Sequence, residues 1–196
     1  MAETRPTGTS SDSTLTIDDR IIHATLILVS EHGLGGVTMF QIATAAGVAR
    51  QTLYNHYGDI DSIVAATIER HNRQSIELLE ASLQIAESPI DKLGQMVRHF
   101  ASIGAHEHHS LDLRGALAAE LRASLGAYQN VVEEHIWKIV KDGQKTGEFR
   151  KDLILEMDTV LVRAFLDGVQ DLAADSPDQA ARVAATGLRT ILASLR

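Results

Sequence analysis

Arg50, Gln51, Thr52, Tyr54, Asn55 and His56 crowd hydrogen-bonding side chains into a single run of seven residues. Their chemistry suits recognition rather than bond making. A guanidinium such as that of Arg50 can fork onto guanine O6 and N7, and the Asn55 amide can pair with an adenine edge or a phosphate oxygen. Tyr54 and His56 are polar-tipped rings suited to phosphate oxygens. The plainer readings are a solvated arginine at a helix start and ordinary polar surface around it. Leu53 and Tyr57 fall on the opposite face and are expected to pack inward.

Side chains of this kind need a rigid rod beneath them. The segment Thr38–Tyr57 reads as two short helices joined by a tight turn at Gly47. Ile42, Ala43 and Ala46 give the first an apolar face. Thr38, with Gln41 three residues on, makes a capping-box start, and both are also expected to meet DNA. The second helix is expected over about Val48 to His56. This is a helix-turn-helix pattern, whose second helix enters the major groove. Ahead of it, Thr16 and Asp19 fit a capping pair for a helix from Ile17 to His32, which Gly33 is placed to end. Residues 1–15 read as a polar, flexible tail; Arg5 in it either reaches a minor groove or is simply part of a disordered leader.

Beyond the motif the chain keeps a helical rhythm. Asp59 can cap a long helix over 61–87. Ser88-Pro89-Ile90-Asp91 starts another, ending near His106 and carrying Leu93, Met96, Val97, Phe100 and Ile103 on one side. Helices are further expected over 111–121, 126–142 and 153–173, with Gly143 and Gly147 in a loop. Ser176-Pro177-Asp178-Gln179 is expected to cap a last helix that ends near Leu195. No stretch shows strand alternation bounded by turns. The expectation is an all-α fold of about nine helices, with a DNA-binding domain over 16–60 and an effector-binding and dimerisation domain over 61–196.

Two further groups stand out in that larger domain. Leu161, Phe165, Gly168 and Leu172 on the penultimate helix, with Leu188, Ile191 and Leu192 on the last, keep the i, i+3, i+4 rhythm. They fit either a four-helix seam with a second copy or an ordinary hairpin within one subunit. Met96, His99, Phe100, Tyr128 and Trp137 fit either the lining of an apolar ligand cavity or core packing. His106, Glu107, His108 and His109 offer metal-ligand types, but at a helix end such histidines more often cap carbonyls or stay solvated. No metal or cofactor is expected.

The bulk numbers set limits. The 196-residue chain carries a net charge of −8, and Arg50 is the only Lys or Arg between Thr38 and Tyr57. A chain that coats nucleic acid is thereby excluded, while a reader with one favourable face is not. There is no cysteine, hence no disulfide and no thiolate metal site, which fits a cytoplasmic protein. No apolar run approaches the ~18 residues of a membrane span. No spacing assembles a nucleophile with its base, a phosphate-cradling glycine loop or paired catalytic carboxylates, so an enzyme is not expected.

Residues from about Arg20 to Val64 resemble the tetracycline-repressor (TetR) family of bacterial regulators. The likeness runs through Ile21-Ile22, Ala24, Leu28, Gly33, Val37-Thr38, Ile42-Ala43, Ala46-Gly47-Val48 and Thr52-Leu53-Tyr54-Asn55-His56-Tyr57, and the turn Gly147–Asp152 is similar to the entry to that family's eighth helix. The resemblance implies three DNA-binding helices followed by a larger helical domain that holds a ligand and the dimer surface. It implies a homodimeric, ligand-responsive regulator, expected to be a repressor, that reads palindromic operator DNA and is released by a small-molecule effector. On the matching positions it implies phosphate contacts at Tyr54, His56 and Thr38, and base or backbone contacts at Arg50, Gln51, Thr52 and Asn55. Ile60 stands where the family usually has lysine, and Phe40 where a polar or basic residue is common. These departures imply fewer phosphate contacts and a shallow salt dependence. The rival reading is a helical ligand- or metal-sensing protein with weak or lost DNA binding.

Overall fold

Two reciprocal caps open the fold. Thr16 Oγ1 accepts the Asp19 N–H at 3.1 Å while Asp19 Oδ2 accepts the Thr16 N–H at 2.8 Å. Thr38 and Gln41 repeat the exchange at 3.3 and 2.8 Å. Each pair satisfies donors that a helix start leaves orphaned. The computed structural model describes residues 15–106 and 119–196, the side chains of 30, 106 and 119–125 excepted. Among the described residues it holds eight α-helices and no strand: α1 Ile17–His32, α2 Met39–Ala46, α3 Arg50–His56, α4 Ile60–Gln84, α5 Pro89–His106, α6 Ala119–Thr146, α7 Leu155–Asp175 and α8 Ala180–Leu195. The backbone divides into two compact units between Ile63 and Val64.

In the first unit, Ile21, Val29, Val37, Ile42, Ala43, Ala46 and Leu53 form a small buried core. Gly47 ends α2 in the left-handed region at φ 64°, ψ 38°. Its N–H bonds to Thr44 O, and the Val48 N–H reaches back to Ala43 O at 3.0 Å. That double closure uses Val48 to finish α2. It explains why α3 begins at Arg50, two residues after the expected start.

In the second unit the expected boundaries hold in part. Asp59 Oδ1 accepts the Ser62 N–H at 2.8 Å, so α4 starts at Ile60. It ends at Gln84 rather than 87. Ser88 Oγ accepts the Asp91 N–H at 3.1 Å and α5 begins at Pro89, as the spacing predicts. Three expectations are corrected. No helix starts at Gly126, because α6 runs unbroken from Ala119 to Thr146; most of the helix expected over 111–121 lies outside the described residues. Gly143 is inside α6 and not in a loop, because the Phe149 ring occupies the space where a side chain would stand. Gly147, at φ 81°, does make the turn. Ser176 makes no side-chain cap; a short 3-10 turn over Pro177–Gln179 precedes α8 instead.

α5 carries the core of this unit. Leu93, Met96, Val97, Phe100 and Ala101 are buried with Val162, Leu166, Val169 and Ala173 of α7 and Ala184, Ile191 and Leu195 of α8. Ile191, expected on a face between subunits, is fully buried in the subunit's own core and has no surface to offer a second copy. At Gly104 an added Cβ would overlap the Gln170 carbonyl of α7 and press on Ala173. Backbone cannot swing aside as a side chain can. Gly104→Ala is therefore expected to destabilise the protein by about 2–3 kcal/mol, the upper part of the overpacking range. Chemical denaturation should register it as a lower midpoint at unchanged slope.

Candidate functional site

α3 shows water one face and buries the other. Leu53 has no exposure, whereas Arg50, Gln51, Tyr54, Asn55 and His56 are exposed and Thr52 is half-buried. The side chains expected to touch DNA thus stand together on the outer surface of one short rod. Tyr57, expected to pack inward with Leu53, is half-buried at the C-cap.

Three contacts organise that surface. The Arg50 guanidinium lies 4.2 Å from the centroid of the Phe40 ring. Phe40 is 55% exposed and, seen from sequence, only a lost polar contact; the structure makes it the platform on which Arg50 rests. Such stacking contributes about 0.5–1 kcal/mol at an exposed site and holds a long side chain in few rotamers. The Gln51 amide donates to Asn55 Oδ1 at 3.1 Å, leaving an acceptor on Gln51 and a donor on Asn55 one turn apart. His56 Nδ1 lies 2.9 Å from Asp18 Oδ1, which ties the end of α3 to α1 through one ring nitrogen. Asp18 also sets a negative charge beside an expected phosphate contact.

Thr38 and Gln41 divide their roles differently from expectation. The Thr38 hydroxyl donates to Gln41 Oε1 at 2.7 Å and accepts the Gln41 N–H, so the cap consumes it. What α2 can offer a phosphate is its orphan first-turn N–H groups, at Met39 and Phe40, together with the positive end of the helix dipole.

The residues expected around a ligand separate in the second unit. Met96 and Phe100 are fully buried core. His99 and Tyr128 are brought together by Ser75, whose hydroxyl lies 2.9 Å from His99 Nε2 and 3.3 Å from the Tyr128 oxygen. The His99 and Phe100 rings meet edge-on at 6.1 Å. Burial lowers the His99 pKa below its ordinary value, with the nearby His71 adding to it. His99 is accordingly a neutral ring at pH 7. Trp137 instead carries the Lys141 ammonium 4.2 Å over its ring. Sequence reasoning passed over Ser75 and Thr159, which are buried, and Asn72 and Arg163, which are half-buried with buried polar atoms. Their signal was faint: Thr159 and Arg163 interrupt the apolar rhythm of α7 one turn apart.

On α7, Leu161, Phe165 and Leu172 are 57%, 43% and 60% exposed, and Met157 and Val160 extend the same stripe. Gly168 is half-buried beside it, as are Leu188 and Leu192 of α8. Among the described residues no group of three or more His, Asp or Glu side chains is placed to hold a metal ion; the His106 side chain and Glu107, His108 and His109 lie outside the described residues. No described helix is long and apolar enough to cross a membrane.

Residues 21–67 match the family model of bacterial regulatory proteins, tetR family. The fatty acid metabolism regulator protein of Bacillus subtilis is 25% identical over 160 residues, covering 78% of both chains. The HTH-type transcriptional repressor NicS of Pseudomonas putida is 27% identical over 164 residues, covering 78% of this chain and 75% of its own. The crystal structure of FadR from Bacillus subtilis in complex with stearoyl-CoA superposes with a TM-score of 0.76 at 20% identity, covering 90% of this chain and 98% of that one; at this identity the likeness speaks for the fold. Residues 21–67 thus carry the DNA-binding segment of the bacterial regulatory proteins, tetR family, and the whole chain is similar to regulators of that family.

Proposed function

We propose that this protein is a cytoplasmic, homodimeric tetR-family repressor that holds palindromic operator DNA and lets go when a small amphipathic molecule enters its larger helical unit. The observation that carries the reading is the outer face of α3, where Arg50 rests on Phe40 and Gln51 on Asn55 through contacts within the chain itself. Preorganised side chains lose little freedom on binding. Two such rods, one from each subunit, suit half-sites about 34–36 Å apart or somewhat more. The apolar stripe on α7 supports pairing of two copies, and the repressor NicS supports the sign of regulation.

Release is a population shift. An effector that binds one dimer geometry about 10³-fold better than the DNA-binding one supplies ~4 kcal/mol, sufficient to empty the operator. The stearoyl-CoA held by the similar FadR supports an effector with a long acyl chain. A gel-shift with the chain's own upstream DNA tests both steps. A discrete complex that survives excess random DNA, and that added stearoyl-CoA dissolves, is the expected result. Equal affinity for random DNA would favour the sensor without DNA recognition, a rival supported by the sparse positive charge around α3.

A further inference from the structure

Arg163 is a cation in the interior of the second unit with most of its donors idle. Its side chain is 11% exposed, and among the described residues its one ion pair joins Nη2 to Asp167 Oδ1 at 2.8 Å. Among the described residues Nε and Nη1 are buried with no hydrogen-bond partner. One turn earlier on the same helix, Thr159 Oγ1 is likewise buried and unpartnered, as is Asn72 Nδ2 on α4. The guanidinium lies 5.0 Å from the centroid of the Phe100 ring, which also meets the His99 ring edge-on.

The arrangement has a direction. Arg163 Nε and Nη1 can only donate, and they belong to a permanent cation. Unpaired buried donors are costly to a fold, and Asp167 meets the charge of the guanidinium through one nitrogen only. A second copy laid on the α7 stripe cannot meet the need, because the idle atoms are inside the subunit. The guanidinium thus keeps donors available for an acceptor besides Asp167.

We propose that Arg163 is the anchor for an anionic group on the effector, a carboxylate or phosphate oxygen, with Thr159 assisting. This rests on the reading of the larger unit as effector-binding. It also supplies a route for the signal: Leu161 and Phe165, two residues to either side of Arg163, belong to the exposed stripe of the same helix. An anion that competes with Asp167 for the guanidinium acts directly on the helix proposed to join the subunits.

Thermal unfolding and titration calorimetry of the full chain, with stearate, stearoyl-CoA and octadecan-1-ol as probes, test it. One or both anions should bind the wild type at least tenfold more tightly than the alcohol. Stearate binding alone assigns the site to a carboxylate, and stearoyl-CoA alone to a phosphate. Arg163→Met should erase that preference, Arg163→Lys should keep part of it, and the unliganded Arg163→Met protein should melt no lower than wild type. A drop of more than about 3 °C without ligand marks a guanidinium that serves the fold and overturns the assignment, as does an anion preference that survives in Arg163→Met. Equal binding of all three probes overturns it while leaving the acyl-effector reading in place; binding of none overturns both.

Discussion

Arg50→Ala is expected to weaken operator binding by the dimer at least tenfold while leaving its affinity for random duplex nearly unchanged. Arg50 is exposed on α3, is the sole Lys or Arg between Thr38 and Tyr57, and is held against the Phe40 ring. A bidentate arginine–guanine pair contributes about 1–3 kcal/mol of discrimination, and a palindrome counts it twice. Loss of a base reader lowers the specific complex alone. Loss of a phosphate contact would lower both complexes and flatten the salt slope by about 0.9. The two roles therefore separate in one titration run at several salt concentrations. Phe40→Ala should reproduce a smaller part of the loss, and the double substitution should cost less than the sum, because the ring acts through the guanidinium. Equal weakening on operator and random DNA would remove Arg50 as a base reader.

How much of this was visible beforehand follows from the range of each interaction. The caps of α1, α2 and α5 were legible because Thr16, Thr38 and Ser88 find their partners three residues away. The exposed face of α3 was legible for the same reason: periodicity within one short helix decides it. The start of α3 was misplaced because Val48 is spent on closing α2, a backbone bond that no side chain announces. Gly143 was read as a loop because its reason for being glycine, the Phe149 ring, lies across a turn. Ile191 shares the helical rhythm of Leu188 and Leu192, and only the packing of α8 on α5 tells buried from bare. The stacking of Arg50 on Phe40 and the idle donors of Arg163 are tertiary facts with no local signature. Chemistry at the proposed sites thus depends most on what the sequence displays least.

Phe165→Asp combined with Leu161→Asp should turn the dimer into monomers and reduce operator affinity at least 10²-fold, without unfolding the chain. Both side chains are exposed in the subunit, so little of its own packing is lost. Surface changes away from special features usually stay within about 0.5 kcal/mol. In a two-fold interface each substitution occurs twice and faces its own surroundings, so four carboxylates would enter one apolar seam. Leaving them there unpaired costs several kcal/mol, more than such a seam can absorb. A monomer then meets each half-site separately and forfeits the effective concentration that links the two readers. Sedimentation should give a monomer mass, circular dichroism an unchanged helical signal, and gel-shift a weak complex. A dimer that persists through both aspartates would place the subunit contact elsewhere on the molecule. A monomer that still bound the full operator tightly would show that one α3 suffices and would undo the paired-rod reading altogether.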